Sequence, residues 1–192
     1  GFGDGQISLI LVFSGSFGAI FAPFLVQLAD RYFAADRLLA SLLIVGGVIK
    51  YLTASQTTFS AWLILSVAYT LVYMPTIALT NAIAMRNLTN PTAQYAKVRV
   101  WGTIGWIAVA WFFPVLWLKT NVSFQWLPPF FIGDSVQPIA ERMLDSLRVA
   151  GVLSVLYGVF AFFILPRTPP NPDAAGRKTF VLAKAMSLLG RR

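Results

Sequence analysis

The chain of 192 residues has no cysteine and no histidine, and only seven carboxylates. Without thiols or imidazoles it has no thiolate or imidazole metal site, no Cys or His nucleophile and no Ser-His-Asp relay. The carboxylates are not clustered, which leaves no paired acid and base for catalysis. An enzyme is therefore not expected, nor a metal or other cofactor. Charge of either sign is scarce, at 11% of residues against roughly 25% in soluble domains. Each acid falls in a loop or at the end of an apolar run, so none is placed at a bilayer centre where it could carry a proton.

The chain is rich in apolar residues instead. At 57% hydrophobic and a mean hydropathy of +0.71, it reads as an all-α integral membrane protein. The net charge of +8 would point to nucleic acid in a soluble protein. Here the basic residues sit between and after apolar runs, where they set orientation, and no nucleic-acid partner is expected. The partner that composition demands is the lipid bilayer.

Apolar runs of about 20 residues are long enough to cross the hydrocarbon core. Residues 1–6 read as an extracytoplasmic loop continuing from something upstream. Residues 7–166 hold five expected spans, at about 7–28, 38–54, 61–83, 98–118 and 148–166. Gly15, Ser16, Gly18 and Ala19 give the first span a small-residue face, and Gly46 and Gly47 do the same for the second. Lys50 interrupts the second span, either snorkelling to the interface or facing a cavity. Asp36 is placed to cap that span's start. Lys119 to about Leu147 is expected as a long connection ending in a short surface helix. Residues 167–192 form a proline-rich linker followed by a basic amphipathic helix suited to an anionic membrane face.

Counting Lys and Arg by side gives the orientation. Arg31, Arg37, Arg86, Lys97, Arg99, Arg167 and the five basic residues of the tail fall on one side. Lys50, Lys119, Arg142 and Arg148 fall on the other. The bias places the tail in the cytoplasm of a multi-pass protein of the cell (inner) membrane.

Two stretches carry candidate chemistry. On a helix, Arg99, Thr103 and Trp106 fall at i, i+4 and i+7, so a guanidinium, a hydroxyl and an indole share one face. That face reads as a polar ligand site or as an ordinary span with an Arg anchor and an interfacial Trp. Gly102 and Gly105 lie between them at a spacing that admits a neighbouring backbone. The third span is unusually polar, with Tyr69, Tyr73, Thr76 and Asn81 as candidate cavity-lining residues around Pro75. Interhelical hydrogen bonding and a substrate path both account for them.

Leu28-Ala29-Asp30-Arg31 followed by Asp36-Arg37 resembles the loop between the second and third helices of the major facilitator superfamily. Tyr73-Met74-Pro75-Thr76, Leu79-Thr80-Asn81 and Val98-Arg99-Val100-Trp101-Gly102-Thr103-Ile104-Gly105-Trp106 resemble its nucleoside:proton symporter branch. The resemblance implies a partial N-terminal half of a helical bundle, comprising helices two to six and the central linker. It implies alternating access to a midplane nucleoside site containing Arg99, Thr103 and Trp106, with the proton as coupling ion. Asp30, Arg31 and Arg37 are the implied gating motif. The missing first helix and the C-terminal six-helix half are the implied partners, and the coupling carboxylates belong to that second half. A major-facilitator transporter of another polar solute such as a sugar is the alternative, followed by a non-transporting membrane protein.

Overall fold

A computed structural model describes residues 2–127 and 129–169. Five helices and one hairpin follow in order: α1 (Asp4–Tyr32), α2 (Ala35–Thr53), α3 (Phe59–Asn87), α4 (Pro91–Trp117), β1 (Lys119–Trp126), β2 (Pro129–Ser135) and α5 (Ile139–Ile164). Four of them, α1, α3, α4 and α5, contain stretches long and apolar enough to cross a membrane. The 19-residue α2 rises about 28 Å at 1.5 Å per residue, but it carries Asp36 and Arg37 at one end and Lys50 at the other.

The helices begin and stop for local reasons. Asn90 caps α4 by accepting from the Ala93 N–H at 3.2 Å, and Pro91 occupies the first helical position, where its missing N–H costs nothing. Gln94 reaches back to accept from the Asn90 N–H at 3.1 Å. These bonds bring α4 in at Pro91, ahead of the span start expected at about 98. The turn from α2 to α3 closes through Ser55 and Gln56 N–H groups on the carbonyls of Leu52 and Thr53. Pro75 and Pro114 lie inside α3 and α4.

Packing is uneven. The α2 and α5 helices meet backbone to backbone. A Cβ on Gly47 would stand 2.6 Å from the Gly151 carbonyl oxygen, and one on Gly151 would stand 2.7 Å from that of Gly47. A Cβ on Gly158 would stand 2.9 Å from the Ala40 carbonyl oxygen. Ser154 Oγ donates to the Leu43 carbonyl at 2.8 Å, adding an interhelical bond to this contact. Gly18 of α1 is filled by Thr70 and Met74 of α3. The apolar core joins α2 to α3 through Ala35, Leu39, Leu79 and Ile83, with Leu165 packed against it. By contrast α4 has no buried residue, and Gly102 and Gly105 face open space.

The connection after α4 differs from the expected loop and surface helix. It is an antiparallel hairpin pairing Ser123 with Ile132 and Phe124 with Phe131. Its register shifts between Thr120 and Ser123, where Asn121 takes a positive φ of 53°, a conformation that asparagine tolerates. Gly133 lies opposite, where a Cβ would stand 2.7 Å from the Thr120 oxygen. Glu141, Arg142, Asp145 and Arg148 belong to α5 itself rather than to a separate surface helix.

Candidate functional site

The antiparallel approach of α4 to α3 creates a cavity of about 340 Å³ lined by Ile77, Asn81, Arg99, Gly102, Thr103 and Trp106. Arg99, Thr103 and Trp106 come to one place because four and seven residues along a helix return to the same face. Asn81 joins them from α3, and the Tyr95 hydroxyl of α4 donates to its Oδ1 at 2.8 Å. That bond leaves the Asn81 Nδ2 as a donor with no protein acceptor among the described residues. Thr103 Oγ1 lies 3.4 Å from the Arg99 carbonyl, a long contact that leaves the hydroxyl able to turn toward a ligand. Gly102 supplies the floor: with no Cβ there, backbone lies open to the cavity.

The chemistry of this set is specific. A guanidinium offers five donors in a planar fork, an amide adds donors, and a hydroxyl both donates and accepts. The Trp106 indole is 73% exposed and presents a broad flat face for stacking. Among the described residues, Arg99 forms no ion pair. The group as a whole can hydrogen-bond an oxygen-rich solute and stack on an aromatic ring.

The other residues singled out from the sequence lie elsewhere. Thr76 is buried and donates to the Tyr73 carbonyl at 2.6 Å, so its hydroxyl is satisfied within α3 and does not line this cavity. Tyr69 and Tyr73 stack on each other, with centroids 5.3 Å apart and planes inclined by 15°, in the turns of α3 that precede Ile77. Arg37 lies over the Phe162 ring, 4.5 Å from its centroid. Asp30 and Arg31 fall within α1, but their side chains lie outside the described residues, as does the expected basic helix of the tail.

Sequence reasoning missed one tie at the Arg37 end. Thr168, beyond α5, caps α2 from 132 residues away. Its hydroxyl accepts from the Asp36 N–H at 3.0 Å and donates to Asp36 Oδ1 at 3.1 Å. The Thr168 N–H donates to the same carboxylate oxygen at 3.0 Å, and its carbonyl accepts from the Ala35 N–H. Ala34, at the N-cap, has no capping side chain, so a reciprocal capping box is assembled from distant residues. Burial works to raise the Asp36 pKa, but the hydrogen bonds from Thr168 and from the backbone outweigh it and hold the carboxyl below its ordinary 3.8. Arg86 of α3 adds a bond from its guanidinium to the Pro169 carbonyl at 3.2 Å. The ends of α2, α3 and α5 are thereby laced together.

Comparison with known proteins places these features. The profile of the nucleoside H+ symporter family matches residues 1–192. The YegT protein of Escherichia coli K12, assigned by its name as a nucleoside transporter, is 39% identical over 172 residues, covering 89% of this chain and 36% of that protein. The nucleoside permease NupG of Escherichia coli K12 is 31% identical over 98 residues, covering 48% of this chain and 23% of the permease. A crystal structure of a point mutant of the nucleoside transporter NupG superposes with a TM-score of 0.72 at 23% identity, over 97% of this chain and 42% of that one. The chain thus shares its helical fold and spans less than half the length of these relatives.

Proposed function

The chain belongs to the nucleoside H+ symporter family, and from that membership we propose that it is part of a proton-coupled nucleoside transporter and contributes residues to its substrate site. The observation that carries the reading is the convergence of Arg99, Thr103, Trp106 and Asn81 on one cavity. Trp106 stacks on the nucleobase. Arg99 donates to a base carbonyl or to ribose hydroxyls, Thr103 completes the ribose contacts, and Asn81 Nδ2 donates from the opposite wall.

Proton coupling is assigned to the part of the transporter beyond this chain. The described acids are Asp4, Asp36, Asp134, Glu141 and Asp145, and none lines the cavity. The remaining helices of the relatives' length would close the open side of α4 and bring the proton carrier. The five helices span the cell (inner) membrane with Asp36, Arg86, Arg99 and the tail at the cytoplasmic side, as the basic-residue bias requires. Asp30, Arg31 and Arg37 act at that end as a gate between the two halves.

The test is uptake of uridine and adenosine by the complete parent protein in liposomes, with and without an inward proton gradient, for wild type and Arg99→Ala. A hydrogen bond to a charged group contributes about 1.5–3 kcal/mol, so the variant should lose at least about tenfold in apparent affinity. Absence of uptake of either nucleoside by wild type would overturn the reading. Inhibition by free sugars but not by free nucleobase would transfer the site to a sugar-like solute.

A further inference from the structure

Lys50 is a cation within the α2 span that the cavity above does not use. Side chains on a helix lean toward its N-terminus, so Lys50 leans back along α2 rather than out past Thr53. Its Nζ rests over the Tyr69 ring, 4.1 Å from the centroid. The edge of that same ring lies 3.8 and 4.0 Å from where a Cβ on Gly46 would stand, one turn deeper in α2. The ammonium is therefore held inward and not turned to the interface. Among the described residues it has no carboxylate partner, so the tyrosine face is its partner and its N–H donors remain to be met.

Tyr69 passes this arrangement along α3. Tyr73 stacks on it at 5.3 Å and is 43% exposed, covered on one face by Tyr69. Tyr69, Tyr73, Ile77 and Asn81 follow one another at four-residue steps, a stripe that winds slowly around the helix. Its last two members line the Arg99 cavity. The cation, the two rings and the cavity are thus consecutive along one side of α3, with Tyr73 about 6 Å of helix rise from Ile77.

We propose that Lys50, Tyr69 and Tyr73 form a second, outer station on the substrate path, one turn from the Arg99 cavity. This station rests on the nucleoside reading and its orientation. The nucleobase stacks on the free face of Tyr73, and the Lys50 ammonium, seated over Tyr69, acts as a positioning residue that holds the two-ring stack in place. A nucleoside arriving from the outside meets this station before it reaches Trp106 and Arg99.

The experiment measures initial uridine uptake against concentration for the complete protein in liposomes, as wild type and as Lys50→Met, Lys50→Arg, Tyr73→Leu and Tyr73→Phe. Loss of one stacking or cationic contact should raise KM about tenfold in the Met and Leu variants with turnover little changed. The Arg and Phe variants, which keep the cation and the ring, should stay within about twofold of wild type. Unchanged KM in both Lys50→Met and Tyr73→Leu overturns the station, as does a fall in turnover alone, which is what weakened contact between α2 and α3 would produce. If Lys50→Met does not yield folded protein, the exposed Tyr73 decides the matter through KM alone. Absence of uridine uptake by wild type is a different outcome, because it removes the nucleoside reading itself and this station with it.

Discussion

The α2 and α5 helices are joined through glycine at Gly47, Gly151 and Gly158, whereas α4 carries the same kind of residue at Gly102 and Gly105 against open space. Both helices are apolar and rich in small residues, so composition does not separate them. The difference is what each glycine faces. In the first pair, backbone oxygen stands where a Cβ would go, and the close approach gives dispersion contacts that hold helices together when lipid provides no hydrophobic drive. In α4 the corresponding face is free, and the cavity that holds Arg99, Thr103 and Trp106 opens on that same helix. The firmly joined pair supports the bundle, and the helix whose face is open in this chain carries the candidate cavity.

The comparison is sharpest at the glycines themselves. Gly47→Leu drives a side chain into the Gly151 carbonyl, and overpacking against backbone should fall at the upper end of the usual cost of about 1–3 kcal/mol. Thermal unfolding of the detergent-purified protein should show a large drop or no folded protein at all. Next in size is Trp106→Ala, which should weaken nucleoside affinity by about 1–3 kcal/mol through lost stacking while leaving the unfolding temperature in place. A matching loss of stability would mean that α4 is as tightly packed as α5 and would erase the contrast.

Thr168→Val should destabilise by about 1–2 kcal/mol, because it removes a cap and leaves the Asp36 carboxylate short of a donor. The loss should be seen in unfolding rather than in KM. The same clasp has a definite pH dependence. A carboxyl held below its ordinary 3.8 contributes stability that is complete above that value and is lost as pH falls through the lower folded value. The stability difference between wild type and Asp36→Asn should accordingly be flat from neutral pH down to the region of 3.8 and shrink only below it. A difference that vanishes already near pH 6 would show that another group controls this end. The smallest effect belongs to Gly102→Ala, expected within about 0.5 kcal/mol on this chain's own contacts. A large effect in the complete protein would identify Gly102 as a close contact with the remaining helices.

Some of this architecture was plain in the residues. The long apolar runs located the helices, since a segment of about 20 such residues has few other stable states. The i, i+4, i+7 spacing of Arg99, Thr103 and Trp106 put them on one face before any fold was known, because helical periodicity is local. The hairpin also has a local signature, the period-two alternation Val122-Ser123-Phe124-Gln125-Trp126 ahead of Pro128 and Pro129. Asn81 could be seen as polar within a span, but its meeting with Arg99 needs the register between two antiparallel helices. Thr168 gave no local sign of its role, since its partner lies 132 residues away.

The sequence by itself determined that the chain lives in a bilayer, which runs become helices, which helix faces are polar and which family the motifs resemble. These are properties of composition and short-range periodicity, and they need no partner. Only the tertiary structure decided that Gly47 and Gly151 meet while Gly102 and Gly105 do not, that Asn81 completes the Arg99 cavity, that Thr168 caps α2 and that Lys50 lies over Tyr69. Each of these depends on which surfaces fit against which across long stretches of chain, and the fit is set by the packing of whole helices rather than by any one segment.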